Sequence, residues 1–476
     1  MVSRRVFASA IDFAPLRAEL GLPDSFPPEA LAQARVQAAA PRLPDLDRTD
    51  VEFVTVDPPG SLDLDQAVCL RRRGTGYQVL YAIADVLSAV PIGGALETET
   101  WRRGQTVYLP DGNVPLHPVE LSEGAASLLP DQIRAAVVWT IDLDADGRTE
   151  GVSVERARVR SRAKLAYPEV QKDADKGTLA EPLALLPEIG RLLVELGLNR
   201  GAVNLPLPEQ ELEPAPDAPR ERKKASAAAQ LPGWRLVLRA PLPVEEWNAQ
   251  ISLLTGMAAA RLMLDGGVGL LRTMPYASME AKEKLRLAAT SLGVPWPEGM
   301  SVGQVIAGLD PQDPRAAAFI DHTAETLRGA GYTAFDGPAP AEPDHGAVAA
   351  PYAHVTAPLR RLADRYATEA ALAIFEGRPI PDAIREALLK LPEVMATTGR
   401  VASAAERGAI DLAEAVLLAR RVGEVFDAAV VDEGQIALDE PPVRARCTGD
   451  IKPGERIRAR LTDADPAKRL VRFAAS

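Results

Sequence analysis

The 476-residue chain has little cysteine: Cys69 and Cys447 are the only two, and they lie far apart. That excludes a disulfide framework and a cysteine-based zinc site. Aromatic residues make up 5%, so Leu, Val, Ile and Ala must do most of the packing, and the 47% hydrophobic content is enough for a sizeable core. No apolar run reaches the length needed to cross a bilayer. The opening MVSRRVFASAIDFAPL carries two arginines and a short apolar stretch, but Asp12 interrupts it. No signal peptide is therefore expected, and a soluble cytoplasmic protein is. A basic surplus is also missing, since the formal net charge is −12. This argues against a nonspecific nucleic-acid binder with a basic surface, although an acidic protein can hold a local basic channel. Proline (41) and glycine (35) are abundant, which implies many turns and few very long helices. The length predicts two or three domains.

Residues 1–48 read as a helical unit, with short helices around 12–20 and 28–40, compatible with a helix-turn-helix. PRLPDLDRTD follows as a linker. The pattern then turns to β. DVEFVTV places Val51 and Phe53 on one face and Val54 and Val56 on the other, as in a strand buried on both sides. GYQVLYAIADV, RAAVVWTIDL and TEGVSVERARVRS are further strands. Helical patterns dominate 245–375, with breaks at Pro275 and Pro295 and a loop over 336–351. Residues 214–232 read as an exposed loop whose Arg220, Arg222, Lys223 and Lys224 are better explained as solvated surface than as an RNA patch. From about Val422, short strand-like runs with closely spaced turns predict a small β-barrel.

VDPPGSLDLDQAVCL, residues 56–70, concentrates charge of one sign. Asp57 ends a predicted strand, and Pro58, Pro59 and Gly60 force a turn. In an extended chain Asp63 and Asp65 share one face, while Leu62 and Leu64 point the other way and can anchor the segment. The turn can bring Asp57 beside the other acids. Such a cluster is costly unless something positive neutralises it, and Mg²⁺ or Mn²⁺ suits its oxygen donors. An acidic surface turn is the competing account. DLDADG, with Asp142, Asp144 and Asp146, resembles half of a calcium loop, but the twelfth position is Ser153 and the flanks are strands. An Asp-Gly hairpin explains it better.

PYAHVTAPLRRLADRYATEAALAIF carries the strongest positive group. Thr356 and Pro358 fit a helix start, which would place Arg360 and Arg361 in the first turn, where the helix dipole disfavours cations. Arg361 and Arg365 are also a like-charge i,i+4 pair. An anion at this point would relieve both problems, and arginine suits phosphate. Salt bridging by Asp364 competes for part of the cluster, and His354 alone would more often be structural. Acids for a metal and arginines for phosphate together point to metal-dependent phosphodiester chemistry.

VTVDPPGSLDLDQA resembles the acidic signature of the ribonuclease II (RNB) family of exoribonucleases. YAIADVLSAV, RRGQTVYLPDGNVPLHPVELSEGAASLLP, SRAKLAY, RGAVNLPLPE and DHGAVAAPYAHVTAPLRRLADR resemble further family motifs, in the family's order, over about residues 50–420. The resemblance implies a mixed α+β chain: an RNB-type catalytic domain (49–420), a short helical N-terminal unit in place of the family's usual pair of cold-shock barrels, and a C-terminal OB-type RNA-binding barrel (421–476). It implies a processive, Mg²⁺-dependent 3′→5′ exoribonuclease on single-stranded RNA, monomeric, releasing 5′-mononucleotides. Asp57, Asp63 and Asp65 match three of the family's four active-site aspartates. The fourth position is Gln66, which can offer a metal its carbonyl oxygen but no charge. Arg360 matches the arginine of the family's Thr-Ser-Pro-Ile-Arg motif, expected on phosphate. Tyr108 matches the tyrosine of Tyr-Leu-Pro, expected to stack on a base near the 3′ end. His354, Arg361 and Arg365 are expected to contact RNA. Ala357 and Leu362 depart from the usual serine and tyrosine. Two rivals remain: an RNA-binding protein of this fold that has lost catalysis, favoured by Gln66, and a metal-dependent phosphatase on small molecules.

Overall fold

The computed structural model describes residues 11–206, 208–214, 233–311 and 313–476. The basic stretch with Arg220, Arg222, Lys223 and Lys224 lies outside the described residues. The β-rich segment curls into a closed barrel of β1 (Phe53–Asp57), β2 (Gln66–Arg73), β3 (Gly76–Ala84), β4 (Ile133–Leu143) and β5 (Thr149–Ala166). Neighbours run antiparallel except where β1 closes against β5 in parallel, with Asp57 opposite Ala166. The two-faced burial of DVEFVTV is real. Val51 and Phe53 join one core, which takes in Ala30, Ala34, Leu121 and Leu128, and Val54 and Val56 join another. The turn between β4 and β5 is the expected Asp-Gly hairpin: Asp144 Oδ1 accepts from the backbone N–H groups of Asp146 (2.9 Å) and Arg148 (2.8 Å), so that carboxylate closes a turn.

Helices Tyr167–Asp175, Leu186–Arg200, Pro243–Gly266 and Leu362–Phe375 cover the second core. A hairpin of β6 (Glu209–Pro214) and β7 (Trp234–Arg239) lies between them in sequence. The region read as helical over 245–375 also holds a long-range pair, β8 (Val268–Thr273) with β9 (Gly331–Asp336). The short apolar run VGLLRT could not be told from a helical segment by periodicity. Gly267, in the left-handed region at φ 72°, ends the helix just before it. Helices Met279–Leu292, Val302–Ala307 and Pro314–Thr326 are inserted between β8 and β9 and share a small core around Leu285, Ile306 and Phe319. A minimal pair of β10 (Asp344–His345) and β11 (Ala350–Pro351) leads toward Arg360.

The helix Asp382–Leu418 runs for 37 residues with Pro392 inside, one of the few very long helices that the proline and glycine content allows. Its first half packs Ile384, Leu388 and Leu391 into the barrel-side core, and its second half packs Ala405, Ala409 and Leu417 against the C-terminal strands. Burial along its length outweighs the hydrogen bond lost at Pro392. The C-terminal strands β12 (Val425–Asp432), β13 (Gln435–Leu438), β14 (Arg444–Thr448), β15 (Arg456–Asp465) and β16 (Leu470–Ala475) form a second closed barrel, as their spacing predicted. The N-terminal helices Ala14–Glu19 and Pro28–Ala39 split between cores. Phe13 and Leu16 pack with the C-terminal barrel, Ala30 and Ala34 with the first. Among the described residues no helix is long and apolar enough to cross a membrane.

Candidate active site

The acidic stretch bridges β1 and β2 at one mouth of the first barrel. After Asp57 the chain reverses at Pro58–Pro59–Gly60, where Gly60 at φ 87° takes a backbone shape that side chains resist. Lys164 on β5 donates from Nζ to the Ser61 carbonyl at 2.5 Å. Of the two leucines expected to anchor the segment, only Leu64 is buried, and Leu62 is 46% exposed. Leu64 is held by backbone as well as packing: Ser127 Oγ accepts from its N–H at 3.0 Å and Leu128 N–H donates to its carbonyl at 3.0 Å.

The three aspartates sit in different surroundings. Asp65 is almost fully buried, and its Oδ1 accepts from the Leu359 N–H at 2.7 Å. Burial pushes its carboxyl up to about 8, against the pull of Arg360, whose Nε lies 3.7 Å from Oδ2. Burial likewise pushes Asp57 up to about 6, with the charge of Asp63 adding to the rise. Oδ2 of Asp57 is buried without a hydrogen-bond partner. Asp63 accepts from the Tyr108 hydroxyl at 3.3 Å. The carboxylates feel one another, yet among the described residues no group of three or more His, Cys, Asp or Glu side chains is gathered closely enough to cage a metal ion. Mutual repulsion favours such spacing between like charges. The donor set nonetheless fits a hard divalent cation. It offers oxygen ligands, an orphaned buried carboxylate oxygen, and two acids whose ionised forms need added positive charge.

Gln66 faces elsewhere. Its amide donates to the Thr356 carbonyl at 2.7 Å, and its carbonyl oxygen accepts from the Tyr81 hydroxyl and from Ser252 Oγ at 3.3 Å. That oxygen is turned to hydroxyls inside the protein, with Tyr81 giving it its only proton, so Gln66 is engaged away from the metal contact expected of it. The side chain ties β2 to Thr356 and to the helix Pro243–Gly266.

The arginine segment also differs from expectation. The helix begins at Leu362, with extended Arg361 as its cap, and not near Thr356. Residues 358–360 form a separate turn, in which the Arg360 (3.2 Å) and Arg361 (2.9 Å) N–H groups donate to the Ala357 carbonyl, while Asp364 Oδ2 accepts from the Ala357 N–H at 2.7 Å and Asp65 from the Leu359 N–H. Arg360 then points outward, its side chain 47% exposed, with Thr106 N–H holding its carbonyl at 3.0 Å. Arg361 is paired with Asp364 through Nε (3.0 Å) and Nη2 (2.9 Å). Arg365 is buried against Glu97 at 3.1 Å and Tyr366. The like-charge problem seen in sequence is therefore solved by carboxylates within the protein, and only Arg360 keeps an outward guanidinium. His354 donates to or accepts from Tyr332 at 2.6 Å and packs edge-on against Tyr332 and Tyr352. Burial holds its imidazole well below the usual range, so it stays neutral. Tyr108 presents a ring 45% exposed beside Asp63. Sequence reasoning assigned no role to Ser127, Lys164, Tyr81, Ser252 or His117, whose Nδ1 meets the Leu359 carbonyl at 3.0 Å. Ser127, Lys164, Tyr81 and His117 lie within quoted motifs, but nothing local shows what they touch.

The model of the RNB domain matches residues 46–373, over half the chain. The chain belongs to the RNB family. The RNase II-type exonuclease C-terminal S1 domain matches residues 424–476, the second barrel. Among curated RNB relatives, the chain is 38% identical over 130 residues to exoribonuclease 2 of Pasteurella multocida, covering 26% of this chain and 20% of that one. It is 31% identical over 180 residues to ribonuclease R of Acidithiobacillus ferrooxidans, covering 36% and 40%. The matches thus span well under half the length of these relatives. In fold, the chain is similar to the apo form of Mycoplasma genitalium RNase R, with a TM-score of 0.80 at 20% identity over 97% of this chain and 77% of that one. It is also similar to yeast Ssd1, described as a pseudonuclease, with a TM-score of 0.67 at 18% identity over 90% and 52%. At such identities the likeness speaks for the fold alone.

Proposed function

We propose that this RNB-family chain is a processive 3′→5′ exoribonuclease that hydrolyses single-stranded RNA to 5′-mononucleotides, as a cytoplasmic monomer. The observation that supports the reading is that Asp57 and Asp65 both feel the charges of Asp63 and of one outward guanidinium, Arg360, which lies 3.7 Å from Asp65. Asp57, Asp63 and Asp65 would hold Mg²⁺, with Mn²⁺ as a substitute. Such a cation would supply positive charge to the scissile phosphate and acidify an attacking water. Arg360 binds the phosphate oxygens and stabilises the charge that develops there in the transition state. Tyr108 offers its ring to the terminal base, a contact tolerant of sequence. Asp65, fixed by the Leu359 N–H, keeps the acidic loop and the Arg360 turn in register. His354, Arg361 and Arg365 shape the walls from within and do not reach RNA directly.

The reading in which catalysis has been lost is favoured by Gln66, whose amide adds no charge and is tied to the Thr356 carbonyl and the Tyr81 hydroxyl. One experiment separates the alternatives. Single-stranded RNA labelled at its 5′ end is incubated with Mg²⁺ or chelator, beside D65N and beside a mononucleotide substrate. Stepwise shortening from the 3′ end, lost in D65N and in chelator, is expected. RNA binding without shortening in Mg²⁺ and Mn²⁺ would sink the enzyme. Release of phosphate from the mononucleotide, with RNA intact, would point to a phosphatase.

A further inference from the structure

Ser127 is fully buried just after the kinked turn Leu121–Ala125, and its hydroxyl spans the acidic loop. Oγ donates to the Leu62 carbonyl at 2.6 Å and accepts from the Leu64 N–H at 3.0 Å. These two groups flank Asp63, so one hydroxyl cross-links the chain on either side of it. The brace is itself fixed. The Leu128 N–H donates to the Leu64 carbonyl at 3.0 Å, and Arg134 Nε donates to the Ser127 carbonyl at 3.0 Å while its Nη2 holds Gly124 at 3.1 Å. The side chains of Leu64, Leu121 and Leu128 share one core, so the brace rests on packed hydrocarbon. Asp63 has weak support of its own: its carboxylate meets the Tyr108 hydroxyl at 3.3 Å, on a ring 45% exposed. Its direction is therefore set by its backbone.

We propose that Ser127 is a positioning residue for the divalent-cation site, fixing the backbone around Asp63 so that cation affinity depends on a hydroxyl touching neither cation nor RNA. The chemistry requires a donor and an acceptor at one atom, which serine and threonine supply and alanine does not. The inference rests on the proposed role of Asp63 as a cation ligand, and the experiment separates the two.

Mn²⁺ binding is measured without RNA, by paramagnetic resonance of free Mn²⁺, for the full chain and for S127A, S127T and D63N. RNA affinity is measured separately in chelator. D63N is expected to bind Mn²⁺ far more weakly. S127A is expected to lose about tenfold in Mn²⁺ affinity, the scale typical of residues that orient a ligand, with RNA affinity in chelator unchanged. S127T is expected to restore Mn²⁺ binding. Wild-type Mn²⁺ affinity in S127A overturns the proposal, as does an equal loss of RNA affinity in chelator. If S127A does not fold, S127C, of similar size but a weaker donor, is expected to bind Mn²⁺ more weakly than S127T, and equal binding overturns the proposal. Undiminished Mn²⁺ binding by D63N, or none by the wild type, refutes instead the reading of the acidic site.

Discussion

Replacing Gln66 with leucine discriminates a metal ligand from a structural tie. The change keeps the side chain's bulk and removes its hydrogen bonds. The Thr356 carbonyl, on a residue 4% exposed, loses its 2.7 Å donor. The Tyr81 hydroxyl is less affected, because Ser252 Oγ remains 2.8 Å away. One buried acceptor left without a partner costs about 1–3 kcal/mol, and no charge is stranded. Q66L should therefore destabilise the barrel by that amount and leave Mn²⁺ affinity unaltered, since the amide oxygen is turned to the Tyr81 hydroxyl. Denaturation in urea, followed by Trp fluorescence, reads the first quantity. Trp139 is fully buried and pairs across the sheet with Tyr81, so it reports on this part of the barrel. Manganese titration reads the second. A loss of Mn²⁺ affinity in Q66L as large as that in D63N would refute the argument and make Gln66 a ligand. Unchanged stability would show that the tie to Thr356 contributes nothing.

Arg360 is half exposed and spent on no close hydrogen bond, so R360M should leave the urea midpoint unchanged while lowering kcat by about 10²–10³; a destabilised protein with normal turnover would contradict this. Y108A should weaken binding of single-stranded RNA by about 1–3 kcal/mol, whereas Y108F should retain it, as read by fluorescence anisotropy in chelator; equal losses would show that the hydroxyl, not the ring, is what matters. Glu414 is buried where the helix Asp382–Leu418 meets β14, accepting from Gln210 at 2.8 Å and from the Arg444 N–H at 3.1 Å. Burial raises its carboxyl from 4.5 to about 7, so folding favours the neutral form. Its contribution is present in full below pH 4.5 and is lost as pH rises toward about 7. E414Q, which keeps an acceptor oxygen without the charge, should flatten the fall in urea midpoint between pH 5 and pH 7; an unaltered slope would refute the assignment.

Much of the architecture is written locally. The apolar runs buried on both faces in β1 and β3, the Asp-Gly turn and the closely spaced C-terminal runs are legible because each is carried by neighbouring residues. The acids of 57–65 and the arginines of 360–365 were legible as chemistry, because crowded like charge demands a partner. Which partner each receives was not legible. Arg361 and Arg365 invited an anion in sequence, but Asp364 and Glu97 reach them first, the latter from 268 residues away. The β8–β9 pair was hidden because its strands stand on either side of a helical insertion.

The sequence by itself determined four of the first barrel's five strands (β2, Gln66–Arg73, was not read), the terminal barrel, the acidic run and the family motifs, since each depends on residue type and short spacing. Only the tertiary structure decided that Gln66 turns inward to a carbonyl 290 residues away, that Ser127 bridges Leu62 and Leu64 from 65 and 63 residues away, and that Arg360 alone of its cluster faces outward. Those outcomes depend on which polar groups burial strands without water, and the partners that satisfy them are set by closure of the barrel rather than by neighbours in the chain.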